Sequence, residues 1–246
     1  MAKASKIRTG SRRSARRHGR SRSVRVRAAR HFTPGRLRAD GPGAVLRCLV
    51  LVPGPDWVAV DLESGALVRA PVGDPVNLSE NETEVAAGAF PGRTLSAVEL
   101  AVAADPGPAD PARPEAIALA GPPTPLGEPR RRSTRRLLQH LVTRAADRPL
   151  LGTLGPSICY ADLEGTRPSV VLVAPHGRPR FGTGQSGTWC QFVLGGRRHT
   201  LPCSAQAVPD PSATGHSANL LVVGLGAPRQ GQVPKIVLGT LPRGRG

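Results

Sequence analysis

Apolar residues in this chain come in short runs that turn-forming residues separate. The run at 46–52 is followed by Pro53-Gly54-Pro55, and the run at 57–60 leads into Glu63-Ser64-Gly65. From 98 to 102, Val and Leu alternate with Glu and Ala, which is the period of a half-buried strand. These patterns predict short strands joined by tight turns, and shorter apolar segments at 66–68 and 117–119 extend the series.

One segment has helical periodicity. Between Ser133 and Pro149, apolar residues recur three and four positions apart, and basic residues occupy another face. We therefore expect one amphipathic helix that begins near Ser133 and ends before Pro149. Arg130 to Arg132 stand at its start, where cations oppose the helix dipole, and an anionic partner or counterions would relieve that conflict. The apolar positions are Leu137, Leu138, Leu141, Val142 and Ala145.

The second half of the chain resembles a diverged copy of the first. Gly54-Pro55 is followed by Asp61-Leu62-Glu63, and Gly155-Pro156 is followed after the same interval by Asp162-Leu163-Glu164. Internal duplication and chance similarity in a biased composition are both open interpretations. The predicted fold is mainly β, with two similar small β-rich modules at 41–127 and 150–246 joined by a basic linker helix at 128–149. The pattern does not decide between a sandwich and a barrel.

Charge is distributed unevenly along the chain. The first 38 residues contain 14 Lys and Arg and no acidic residue, and the segment 130–148 contains seven Arg against the single Asp147. The rest of the chain has 13 basic and 16 acidic residues, so the net charge of +17 comes from these two clusters. Because like charges repel and apolar residues are few, residues 1–40 are predicted to form a disordered basic arm.

Composition restricts the class of protein. Hydrophobic residues make up 39% of the 246 residues, but only seven residues are aromatic, so large core side chains are scarce. The four Cys form no CxxC pair, and a disulfide framework is not expected. No apolar run is long enough to span a bilayer. We expect a cytoplasmic protein, associated with the nucleoid or the ribosome if bacterial, or an organellar one if the arm is a transit peptide.

Two patterns resemble catalytic or cofactor-binding motifs, but the residues around them do not match those motifs. Gly182 to Gly187 satisfies GxGxxG, yet an apolar run typical of a strand follows it, whereas the dinucleotide fingerprint needs a helix there. Ser186 misses the GxSxG arrangement by one position. Hydrolase chemistry would require Ser186 and His199 to converge in one pocket, and His176 and His216 have no better spacing. We therefore predict a protein that is not an enzyme and has no cofactor.

A zinc site is the remaining metal candidate. Cys190, His199 and Cys203 could supply three ligands, with Cys159 or His176 as the fourth. Structural zinc favours closely paired ligands, and eight residues separate Cys190 from His199. Buried cysteines beside a hairpin at Gly195-Gly196 explain the pattern better, so no metal ligand is predicted.

The basic clusters indicate an anionic partner. Lys and Arg that contact phosphates release counterions, and the guanidinium fork matches phosphate oxygens. The arm has one aromatic residue, Phe32, so we predict binding to RNA or DNA backbone with little sequence preference. The alternative is a structural or assembly protein whose β modules mediate self-association or protein contacts, the arm being a solubility or targeting segment. The residues predicted to contact nucleic acid are Arg12, Arg13, Arg16, Arg17, Arg20, Arg22, Arg25, Arg27, Arg131, Arg132, Arg135 and Arg136.

Overall fold

Twelve strands, one α-helix and three short 3-10 helices form the regular structure in the part of the chain that the computed structural model describes. The described residues are 43–70, 93–104, 110–145, 149–165, 167–185, 187–207 and 218–242. The predicted arm at 1–40 lies outside them. Within the described residues, the mainly β fold with one α-helix is confirmed.

The strands form three antiparallel sheets. The first sheet has the spatial order β3-β2-β1-β4-β5, where β1 is Val45–Val52, β2 is Val58–Asp61, β3 is Leu67–Arg69, β4 is Ala97–Ala101 and β5 is Thr124–Gly127. The second has the order β6-β12-β11-β7, where β6 is Ser157–Cys159, β7 is Val170–Val173, β11 is Ala218–Leu225 and β12 is Gln232–Pro242. The third has the order β10-β9-β8, where β8 is His176–Gly184, β9 is Gly187–Leu194 and β10 is Arg197–Pro202.

Most of the predicted strands are present. The apolar runs become β1, β2, β3 and β4, and Gly195-Gly196 forms the two-residue turn between β9 and β10. Both turn glycines have positive φ, 55° and 74°, which a tight hairpin turn of this type requires. The strand expected at 117–119 is wrong: this segment makes a single isolated bridge, from Leu119 to Val102. Pro122 and Pro123 follow it and have no N–H to extend a ladder.

Both faces of the central strands are buried. In β1, Leu49 packs into the core between the first and second sheets, whereas Val50 packs into a cluster on the opposite face. In β11, Val222 faces the same central core, and Val223 faces the third sheet. Strands that are covered on both sides have nearly continuous apolar sequences. This double burial explains why the runs at 46–52 and 220–223 show little polar alternation.

The α-helix, here α1 (Arg131–Ala145), packs beside the central core. Its buried leucines belong to the same apolar cluster as residues of β1, β2, β7, β11 and β12, and the helix packs against β7. The predicted helix is therefore confirmed, and its first turn begins two residues before Ser133. The buried helix residues are Thr134, Leu137, Leu138 and Leu141.

Contacts across the predicted module boundary are extensive. Besides the shared core, Arg69 of β3 donates from Nη1 to the carbonyl oxygen of Leu225 at 3.1 Å, and Glu115 accepts a hydrogen bond from the Ser169 backbone N–H at 2.8 Å. Strand pairing also differs between the two halves: β3 pairs with β2, the strand just before it in the chain, whereas β7 pairs with β11, a strand much further along. Two separate modules joined by the helix, and a repeat of one module, are therefore not confirmed.

Candidate nucleic-acid interface

The four predicted arginines of α1 lie on its exposed first half. Arg131, Arg132, Arg135 and Arg136 are all exposed, and the first turn of the helix contains no acidic residue. Within the described residues, no carboxylate lies at ion-pair distance from any of them, since the ion pairs found there are Arg47–Glu99 and Arg113–Asp56. Their guanidinium groups are therefore available to an external anion.

A groove of about 1610 Å³ separates α1 from the end of the first sheet formed by β4 and β5. Arg131, Arg132 and Arg135 line it from the helix, and Arg93, which precedes β4, lines it from the opposite side. Glu128 is the one carboxylate among the lining residues. The floor is aliphatic and is formed by Leu95, Leu138, Val142, Ala174 and Leu220.

Arg136 does not line this groove. It follows Arg135 by roughly 100° around the helix, which turns its side chain away from the groove. The structure thus brings three of the four predicted helix residues together and adds Arg93, which the sequence analysis did not single out because it lies between the two basic clusters. The arm residues predicted to bind nucleic acid lie outside the described residues: Arg12, Arg13, Arg16, Arg17, Arg20, Arg22, Arg25 and Arg27.

The third sheet is a further basic surface that the sequence analysis missed. Between Glu164 and Asp210 the chain contains five Arg and no acidic residue, and four of these arginines lie on β8 and β10. Counting charge over the whole remainder of the chain concealed this stretch, although a scan for acid-free segments would have found it. The exposed arginines of the sheet are Arg178, Arg180, Arg197 and Arg198.

The two faces of the third sheet have different chemistry. Cys190, Phe192 and Leu201 are buried against the second sheet. Because successive residues of a strand point to opposite faces, Trp189 and Gln191 point outward. On this outer face Gln191 lies opposite both Arg180 of β8 and Thr200 of β10, and its Nε2 lies 3.3 Å from Thr200 Oγ1.

The glycine-rich segment at 182–187 is the tip of a hairpin. β8 ends at Gly184, which pairs with Gly187 at the start of β9. A strand follows the segment, so it lacks the helix N-terminus that a dinucleotide site requires. Ser186 and His216 lie outside the described residues, and His199 stacks against Phe192 with 5.3 Å between ring centroids. Burial and the nearby positive charge of Lys235 lower the pKa of His199.

Cys190 and Cys203 form a thiol pair beneath the third sheet. The Cys190 thiol donates a hydrogen bond to Cys203, which lowers the pKa of Cys203, while the same bond and burial raise the pKa of Cys190. In the part of the chain that is described, no group of three His, Cys, Asp or Glu side chains is arranged to hold a metal ion. Across the same residues, no helix has the length and apolarity that a membrane crossing demands.

Comparison of the chain with protein-family models, with curated proteins and with solved structures gave no match. The chemistry of its own surfaces is therefore the basis for a functional proposal.

Proposed function

We propose that this chain is a non-enzymatic binding protein that engages the phosphate backbone of RNA or DNA through its Arg-rich arm and the basic first half of α1. The observation that carries the proposal is the rim of the groove, where Arg93, Arg131, Arg132 and Arg135 meet with one carboxylate, Glu128. Concentrated guanidinium groups attract polyanions, and each phosphate contact releases condensed counterions.

The position of these arginines at the start of α1 strengthens their attraction for phosphate. The N-terminus of α1 carries the positive end of the helix dipole, which favours a bound anion. Arg131 and Arg135 lie one turn apart, about 6 Å along the helix axis, so both can contact one strand. Neutralising them with phosphate relieves the repulsion among cations at this helix end. The arm would contribute its eight predicted arginines as a second, sequence-independent contact.

The proposal is tested by fluorescence anisotropy with labelled 20-nucleotide single strands of DNA and RNA, titrated with the full chain at several salt concentrations. We expect the logarithm of the affinity to fall linearly with the logarithm of the salt concentration. Replacing Arg131, Arg132 and Arg135 with Gln should reduce that slope by about 2, because each phosphate that is no longer neutralised lowers it by roughly 0.7. Gln at the eight arm arginines should reduce the slope further.

Arg136 provides a matched control for the groove. Arg135→Gln and Arg136→Gln remove the same charge from adjacent exposed positions, but only Arg135 lines the groove. Binding through the groove predicts a larger loss of affinity for Arg135→Gln. Equal losses would place the contact on the helix as a whole. A chain that binds neither nucleic acid, yet associates with itself independently of salt, would favour the alternative of assembly through the sheets.

A further inference from the structure

Trp189 lies on the outer face of the third sheet in an unusual arrangement. A Cβ atom added at Gly182, its partner on β8, would overlap three atoms of the six-membered indole ring, Cε2, Cζ2 and Cη2. A Cβ at Gly184 would lie 3.8 Å from the indole Nε1. The ring therefore lies over the backbone of Gly182, and its pyrrole edge lies near Gly184. Trp189 is half-buried, so part of its indole is still exposed to solvent.

The surroundings of Trp189 are basic and polar. Arg180 lies on β8 two residues before Gly182, on the same face of the sheet, and is exposed. Arg198 lies on this face at the other end of β10, opposite Val193. Gln191 and Thr200 add an amide and a hydroxyl group to the same face. No acidic residue occurs anywhere in the segment 165–209.

We infer that this outer face, the Trp189 platform, binds single-stranded nucleic acid by stacking one unpaired base on the Trp189 indole while Arg180 and Arg198 contact flanking phosphates. The inference rests on the proposed function and extends it from phosphate binding to base contact. Gly182 has a defined role in it, because any side chain there would overlap the indole, whereas a Cβ at Gly184 would make an ordinary van der Waals contact with the ring.

Charge and ring chemistry together favour a single strand as the occupant. Aromatic side chains on small sheets stack bases of any sequence, because every base has a π-face, and neighbouring arginines follow the backbone. In a duplex the bases are already stacked on each other and cannot cover the indole. The face has few apolar groups beyond Trp189, Val193 and Pro202, which argues against a purely hydrophobic protein contact.

The tryptophan content of the chain makes the test direct. The second tryptophan, Trp57, is buried beside the first sheet, so Trp57→Phe leaves Trp189 as the only indole emitter. We would titrate this full-length variant with a 12-nucleotide oligo(dT) and with an abasic strand that has the same number of phosphates. We expect oligo(dT) to quench the Trp189 emission and the abasic strand to leave it almost unchanged.

Affinity measurements on variants provide the second readout. Trp189→Leu should weaken oligo(dT) binding by about 5- to 150-fold, the usual range for one base stack, and leave the affinity for the abasic strand unchanged. Trp189→Phe keeps an aromatic ring and should retain most of the difference between the two strands. Arg180→Gln, at an exposed position, should weaken binding of both strands by the same factor, and it tests the surface even if Trp189→Leu does not fold.

The outcomes separate this inference from the proposed function. Equal quenching by both strands, or an unchanged oligo(dT) affinity in Trp189→Leu, overturns the base-stacking site while phosphate binding stands. Failure of both strands to bind the full chain overturns both proposals. Quenching of Trp189 by a 12-residue polyglutamate peptide, but by neither strand, would also overturn the inference and identify the face as a contact for acidic protein.

Discussion

Lys235 carries a charge into the interior, and the stability of the protein should therefore depend on pH above neutrality. Its side chain on β12 is 1% exposed, and its Nζ donates a hydrogen bond to the carbonyl oxygen of Thr153 at 2.7 Å. No carboxylate pairs with it among the described residues. Burial lowers the pKa of Lys235 from 10.5 to about 8, because desolvation disfavours the charged amine.

The sign of the effect follows from the two protonation states. Between pH 8 and 10.5 the unfolded chain keeps the proton on Lys235 and the folded chain releases it, so a rise in pH favours the folded state. At roughly 1.4 kcal/mol per pH unit, this window corresponds to about 3 kcal/mol in the free energy of unfolding. Below pH 8 both states are charged, and the penalty for the buried ammonium is present in full.

Urea denaturation at pH 7.5, 9.0 and 10.5, followed by tryptophan fluorescence, measures this contribution. The free energy of unfolding of the unmodified chain should rise by about 3 kcal/mol between pH 7.5 and pH 10.5. Lys235→Met keeps a long apolar side chain but has no amine to titrate, so it should not show this rise. The titration of Cys203 is common to both proteins and cancels in the difference. Lys235 contributes to the lowered pKa of His199, but this ring is largely neutral from pH 7.5 upward in both proteins. An identical rise in both proteins would refute the assignment of the effect to Lys235.

Two further predictions concern packing and thiol reactivity. A Cβ at Gly239 would lie 2.6 Å from Cγ2 of Val52. Gly239→Ala should therefore lower the free energy of unfolding by about 1–3 kcal/mol, and adding Val52→Ala should restore much of that loss. A Gly239→Ala protein that is as stable in urea as the original would contradict this contact. Iodoacetamide at pH 7.5 should label Cys203, whose pKa is lowered, before the buried Cys190. If peptide mapping by mass spectrometry finds that Cys190 is labelled first, Cys203 and not Cys190 donates the hydrogen bond between them.

The sequence patterns predicted local elements well and their assembly poorly. The runs that form β1 and β2 are rich in Val and Leu, whose preference for strands agrees with their burial here. β8 was not predicted, because His176–Gly184 contains Pro179 and three glycines and has the composition of a loop. Its ladder with β9 and the Trp189 ring over Gly182 make it a strand, and these contacts have no counterpart in local composition.

The candidate sites show the same division. The arginines of α1 were predictable from charge, and three of them do line one groove. Arg93 joins them only through the packing of α1 beside the first sheet, which no local pattern specifies. The Trp189 platform was missed because one aromatic residue has little weight in a count. Its significance depends on which strand faces it and on which face of the sheet it occupies.

The position of β12 in the chain determines when this protein can fold. β12 pairs with both β6 and β11 and also contacts β1, so the central core closes only when residues 232–242 arrive. About 180 residues lie between the end of β1 and the start of β12, a separation that makes these contacts late and slow to form. At 5–20 residues per second, synthesis of that interval takes roughly 10–35 s. During this time one apolar face of the first sheet is not yet covered by β12. The nascent chain therefore needs protection from aggregation before the stability of the folded protein matters.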